Sequence, residues 1–171
     1  MSNLEKLMPA NVTIWAAYPE AFEDIQNIKA TELANASMVF NISCAIEEGY
    51  TLGQTSSDTD DSRTICDEGD VATPTFFNYE ASLDTFRAPT LTEAGVFNLA
   101  YRLFKHKGVP FVLVLRVGYK NDFAAAADQR YFAFGVETDN PVDLVDDVTN
   151  IMHGARFKPT GDIAINRKMV A

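Results

Sequence analysis

The chain has two cysteines and two histidines in 171 residues. Cys44 and Cys66 do not form a C-x-x-C pair, and His106 and His153 stand far apart in sequence. A structural zinc site draws on about four Cys or His ligands in close pairs, and that set is missing. The two cysteines are expected to be ordinary reduced thiols, and the sequence leaves open whether they approach each other. Long apolar runs are also absent. The longest is VPFVLVL at 109–115, well short of the roughly 20 residues that cross a bilayer as a helix. The first residues, MSNLEKLMPANVTIW, have no basic segment followed by an apolar one. We therefore expect no secretory signal and folding in a cytoplasm. There is no G-x-S-x-G elbow, no phosphate-binding P-loop and no G-x-G-x-x-G, so the usual nucleophile and nucleotide signatures are lacking. Neither histidine neighbours a serine or cysteine in an activating context, and no enzyme is expected.

Cations are scarce relative to anions, with 14 Lys and Arg against 24 Asp and Glu for a net charge of −10. Such a chain repels nucleic acid and anionic membranes at long range. That argues against a grip on DNA but not against a surface past which DNA must slide. The excess is concentrated. Residues 55–70, TSSDTDDSRTICDEGD, carry six acids and one base, and residues 137–147 carry five acids and no base. Residues 154–171 lean the other way, with Arg156, Lys158, Arg167 and Lys168 against Asp162. Acidic loops and a basic C-terminal piece on one chain suggest complementary surfaces, although solvated charge without a partner reads equally well.

What remains is an ordinary globular composition, 47% hydrophobic and 22% charged, of a length suited to one domain with a single core. Residues 12–17 form a strand candidate, and 30–36 a helical turn with Thr31 as its N-cap. Residues 37–46 alternate, with Met38, Phe40, Ile42, Cys44 and Ile46 on one face. That predicts a half-buried strand. Residues 47–74 have little periodicity and read as a long loop, a feature that in a compact domain is usually functional or disordered. Residues 75–87 alternate again, with Phe77, Tyr79, Ala81 and Leu83 opposite Asn78, Glu80, Ser82 and Asp84. One dry and one wet face is the pattern of an antiparallel sheet.

The period then changes to that of a helix over about 91–107. Apolar residues stand at Val96, Phe97, Leu99, Ala100, Leu103 and Phe104, Thr90 and Glu93 suit a capping box, and Gly108 suits the stop. Residues 109–119 predict a buried strand beginning near Pro110, and 129–138 another with Phe132, Phe134 and Val136 aligned. Residues 139–152 read as an acidic connection with His153 in a loop, and 161–170 as a last strand. Roughly six strands and one helix predict a mainly β protein with one packed α-helix, an antiparallel β-sandwich or barrel.

The acidic stretch fails as a calcium loop. Starting at Asp58, the sixth position is Arg63 and the twelfth Gly69, where an EF-hand needs Gly and Glu. No metal is expected. Glu80 and Asp84 are also poor acid–base partners, since four residues along a strand separate them by roughly 13 Å, beyond the roughly 5–10 Å of a glycosidase pair.

Several short motifs point elsewhere. Residues 43–87 contain GYTLG at 49–53, CDEG at 66–69, TPT at 73–75 and NYEA at 78–81, preceded by ATELANA at 30–36. This region resembles the major tail tube proteins of long-tailed, siphovirus-type bacteriophages, especially those infecting actinobacteria. The likeness is close over about a third of the chain, and the remaining elements agree in order. It implies a single tail tube domain over residues 1–171, with no catalytic residues and no cofactor. It further implies homohexameric rings stacked into a tube through which phage DNA passes without being held, in a virion tail assembled in the host cytoplasm. Tape measure, tail tip and tail terminator proteins would be the other partners, and no membrane is involved.

On that reading Asn78, Glu80, Ser82 and Asp84 are candidate lumen-facing residues. The acidic loop (Thr55, Asp58, Asp60, Asp61, Arg63, Asp67, Glu68 and Asp70) is a candidate contact to a neighbouring subunit or ring. Arg156, Lys158, Arg167 and Lys168 are a candidate basic assembly tail. Another ring-forming virion protein, such as a tail terminator or head decoration protein, and a small-molecule-binding β-barrel are the alternatives.

Overall fold

The computed structural model describes residues 11–60, 73–74, 77–90, 92, 94–145 and 151–171. Ten strands and two short helices follow one another as β1 (Val12–Ala17), α1 (Ala30–Leu33), β2 (Val39–Asn41), β3 (Thr51–Gln54), β4 (Thr59–Asp60), β5 (Thr73–Pro74), β6 (Tyr79–Arg87), α2 (Val96–Phe104), β7 (Pro110–Val117), β8 (Arg130–Thr138), β9 (Val142–Val145) and β10 (Ile151–Lys168). The main sheet runs β2-β1-β7-β8-β10-β6-β3, with β9 also on β10, and every ladder is antiparallel. The protein is thus mainly antiparallel β with a packed helix, as the sequence predicts.

β10 organises the sheet. Its first half, from Ile151 to Arg156, pairs with β6 on one side, and Ile151–Gly154 pair with β9 on the other. Its second half pairs with β8, with register shifts after Pro159 and after Ala164. The strand thus changes partner between Arg156 and Phe157, and its first bulge, a feature that bends a strand, follows just after Pro159. Gly161 (φ +99°) sits in that bulge, in the backbone region that favours glycine. The Tyr79 hydroxyl staples the bend. It accepts from the backbone N–H of Thr160 and of Gly161, both at 3.1 Å, and donates to the carbonyl of Gly135. Gly135 has to be glycine here, because a Cβ would lie 2.6 Å from Thr160 Oγ1 and 2.9 Å from Asp162 Cβ.

Two apolar clusters sandwich the β1-β7-β8 part of the sheet. On one face Ile14, Ala16, Phe111, Leu113, Phe134 and Val136 meet Leu83 and Ala155 and the inner face of α2, namely Ala100, Leu103 and Phe104. On the other face Trp15, Ala17, Val112, Val114, Tyr131 and Ala133 meet Phe22, Ile28, Leu33 and Met169. Two-sided cover explains the unbroken apolar run of β7, and why β8 buries Tyr131 and Ala133 as well as the expected Phe134 and Val136.

Several expectations need correction. The strand over 37–46 is only β2, followed by a 3₁₀ turn at Ser43–Ala45 that leaves Cys44 exposed. Asn41 Oδ1 accepts from both the N–H and the hydroxyl of Ser43 (3.1 and 2.7 Å), an Asx-type bond that pulls the chain out of extended form. The N-terminal helical turn is capped at Lys29, whose N–H donates to Glu32 Oε2 at 2.9 Å, and not at Thr31. The long helix is nine residues, capped at Gly95, and the Thr90 carbonyl instead accepts from Asn98 Nδ2 at 2.9 Å; Glu93 lies outside the described residues. The loop over 47–74 contains β3 and both strands of the small β4–β5 ladder. Phe77 does not join the dry face of β6, which begins at Tyr79, and is 74% exposed. The acidic connection includes β9, and His153 lies buried within β10, its ring edge-on to Tyr101 at 5.0 Å.

Candidate assembly surface

β6 is built by strict alternation. Tyr79, Ala81, Leu83 and Thr85 are buried, while Glu80 is exposed and Ser82, Asp84 and Phe86 are partly so. Its neighbours extend the open face by register, since residues opposite one another on paired strands share a side. Thr51 and Gly53 of β3 oppose Ser82 and Glu80, and Gly154 and Arg156 of β10 oppose Asp84 and Ser82. Glu80, Ser82, Asp84, Thr51, Gly53, Gly154 and Arg156 form a strip of small and polar groups, in which Arg156 is the cation. That cation is held, since Arg156 Nη1 donates to Asp84 Oδ1 at 2.7 Å, with both side chains 35% exposed. Gly154 leaves room for it, because a Cβ there would lie 3.0 Å from Arg156 Nη1. Of the four residues expected on this face, Glu80, Ser82 and Asp84 lie on it. Asn78 stands just before the strand and its Nδ2 donates to the Ser56 carbonyl at 3.3 Å.

The described ends of the acidic stretch are pinned together beside the sheet. The Thr55 N–H donates to the Asn78 carbonyl at 2.9 Å, and β4 pairs with β5 through Thr59↔Pro74 and Asp60↔Thr73. Thr55, Asp58 and Asp60 lie in the described part of the stretch, while Asp61, Arg63, Asp67, Glu68 and Asp70 lie outside the described residues. Beside these ends is an open cavity of about 750 Å³, lined by Thr55, Phe77, Asn78 and Tyr79 and by Pro159, Thr160, Gly161 and Ile163 of the β10 bend.

The four C-terminal cations sit on a strand, and each has a partner in its own chain. Besides Arg156, Lys158 reaches Asp139 at 3.2 Å, Arg167 Nε donates to Gln26 Oε1 at 3.1 Å, and Lys168 reaches Asp128 at 3.3 Å. Past β10 the chain is tied down, with Val170 N–H on the Ile28 carbonyl and Ala30 N–H on the Val170 carbonyl, both at 3.0 Å. Asp139 is held below the usual carboxylate range, first by a backbone hydrogen bond at Asn140, then by Lys158 and by Lys107.

Sequence reasoning passed over Arg116. It sits in β7, 0% exposed, among apolar neighbours. Its two terminal nitrogens donate to Gln129 Oε1 (3.0 Å), Thr13 Oγ1 (2.9 Å) and the carbonyls of Lys120, Phe123 and Ala124 (2.8, 2.9 and 3.2 Å). The guanidinium also lies 4.9 Å from the Trp15 ring centroid, a favourable cation–π placement. Burial lowers its pKa and the nearby Tyr119 opposes that, but an arginine remains charged at physiological pH. It pins the β7–β8 loop to the sheet. The signal was one cation inside an otherwise apolar strand.

Among the described residues, β3 and β9 each pair on one side only, and they flank the four strands β9-β10-β6-β3 that carry the polar strip. Two open edges, a polar sheet face and a pinned acidic stretch define a β-sandwich subunit suited to joining other chains through its edges and surface. The comparisons with known proteins give the family. The model described as phage tail tube protein matches residues 1–171, and the chain belongs to that family. It is a structural component of the virion tail, of a kind that self-assembles into a tube. No match was found among curated proteins. No helix among the described residues is long and apolar enough to cross a membrane.

Proposed function

We propose that six copies close into a ring, that rings stack into the tail tube, and that the strip of Glu80, Ser82 and the Asp84–Arg156 pair, with Asn78 at its end, faces the lumen. The polar strip carries the reading. DNA must slide past the wall, and free cations there would bind phosphates through counterion release and hold it. Here Arg156 is paired with Asp84, and Lys158, two residues further along β10, is paired with Asp139. The open β3 edge of one copy beside the open β9 edge of the next would extend the four strands around the ring, a head-to-tail contact that closes when the rotation per copy divides a full turn. The number six follows from the family resemblance, as do the tape measure, tail tip and tail terminator proteins as further partners. Assembly takes place in the host cytoplasm, and DNA is a transient, non-specific passenger.

The arm over residues 55–70 is the contact between subunits or rings. Deleting it is expected to leave a folded monomer that does not polymerise. Electron microscopy of the purified chain over a concentration series tests the whole reading. Hollow tubes or six-fold rings, with Glu80 and Ser82 inward in the reconstruction, are expected. Monomers that persist after tail-tip components are added would overturn it.

A further inference from the structure

If the arm docks on another copy, its acceptor should be a cationic surface not already engaged. The basic residues of β10 each have a partner within the chain; among the described cations without an ion pair, Lys120 and Arg130 lie at the β7–β8 loop, while Arg102 and Lys105 stand together at the far end of α2. Arg102, Lys105, His106 and Lys107 are all exposed there. Arg102 and Lys105 stand three apart, so they share one helix face. Neither makes an ion pair among the described residues. Lys107 lies 3.5 Å from Asp139, the same carboxylate that Lys158 reaches at 3.2 Å, so one anion is shared by two cations. Among the described side chains, Glu137, beside Gly108, is a second nearby carboxylate. Counting Arg102, Lys105, Lys107 and Lys158 against Glu137 and Asp139, cations exceed carboxylates by two, on a chain whose net charge is −10.

From this surface we infer that the α2 terminus, centred on Arg102 and Lys105, receives the acidic arm of a second copy. The arm carries six acids and one base, so the two surfaces are complementary in sign. Charge pairs of this kind set register and suppress wrong partners through like-charge repulsion. The inference rests on the proposed assembly and names which surface the arm meets.

A charge-swap mixture tests it. One chain carries Arg102→Glu and Lys105→Glu with the native arm. The other carries Asp60→Lys, Asp61→Lys, Asp67→Lys and Glu68→Lys with the native patch. Thermal melts of both monomers check that each still folds. Alone, each chain presents like charge to like, and the pelletable tube fraction should fall at least about tenfold. Mixed in equal amounts, every arm meets an opposite patch, and tubes should return with the two chains alternating. Normal tubes from either variant alone would overturn the inference while leaving the proposed function intact. Mixing that fails to restore tubes would also overturn it, since an arm folded on its own patch would not be rescued by a second chain. A wild-type chain that forms neither rings nor tubes would sink both.

Discussion

The two parts of the sheet are built by opposite rules. Around β1, β7 and β8 both faces are covered, and the only charge buried there, Arg116, is surrounded by neutral acceptors and an indole ring. Around β6, β3 and β9 one face stays open, and its charges, Glu80 and the Asp84–Arg156 pair, remain partly solvated. The first part chiefly holds the fold, because most of its side chains are buried against neighbours. The second has a face and two edges to spare, so its residues are free to serve an assembly. β10 belongs to both, and the Tyr79 staple at its bend sets the relation between them.

Breaking the covered part should cost most. Arg116→Met would take the guanidinium donor from Thr13 Oγ1, Gln129 Oε1 and the carbonyls of Lys120, Phe123 and Ala124, although Gln129 Oε1 keeps the Ala126 N–H and the Lys120 carbonyl keeps the Phe123 N–H. We expect a loss of about 2–4 kcal/mol, from buried acceptors that cost about 1–3 kcal/mol each when left unsatisfied, read from the urea midpoint; a change under about 1 kcal/mol would mean the guanidinium is not what pins the loop. At the seam, Gly135→Ala forces a Cβ against Thr160 and Asp162, and overpacking of that kind costs about 1–3 kcal/mol. Tyr79→Phe removes the staple and should cost about 1–2 kcal/mol. Hydrogen exchange should speed up at Thr160 and Gly161, and unchanged protection there would argue for another source of the bend.

On the open part, Glu80→Lys with Ser82→Lys should move stability by no more than about 0.5 kcal/mol. Assembled tubes of that variant should bind DNA with a steep salt dependence that wild-type tubes lack. Equal DNA binding by both would place the strip away from the lumen. The smallest effect belongs to Asp139. Its folded pKa lies below its ordinary value, so its contribution is present above the unfolded pKa and disappears as pH falls through the folded one. Asp139→Asn should therefore lower the melting temperature slightly at neutral pH, leave it unchanged below the folded pKa, and so flatten the acid limb of a melting temperature against pH curve.

Much of this was legible in the residues. β1, β7 and β8 stand where apolar runs predict them, the alternation of β6 places Glu80, Ser82 and Asp84 on one face, and α2 appears where the period changes. The short strands were not legible. β3 is four residues with one buried side chain, Leu52, and β9 is four residues within an acidic stretch, so neither carries enough pattern to stand out. Each exists because a longer strand offers it a ladder. β10 was hidden for another reason. Gly154, Pro159 and Gly161 punctuate it like turns, yet Gly154 makes room for Arg156, and Pro159 and Gly161 fall at the bulge in its ladder with β8.

The sequence by itself determined the class: a mainly β chain with one helix, a polar face on β6, a concentrated acidic arm and a tail tube likeness. These follow from local periodicity and composition, which side chains express wherever they lie. Only the tertiary structure decided that the basic segment is a bent strand with its cations already paired, that Arg116 is caged, and that β3 and β9 stand as open edges. Those depend on which distant segments meet. Hydrogen bonds and ion pairs between residues up to about a hundred and forty positions apart, such as Arg167 with Gln26, form only after the sheet has closed around its core.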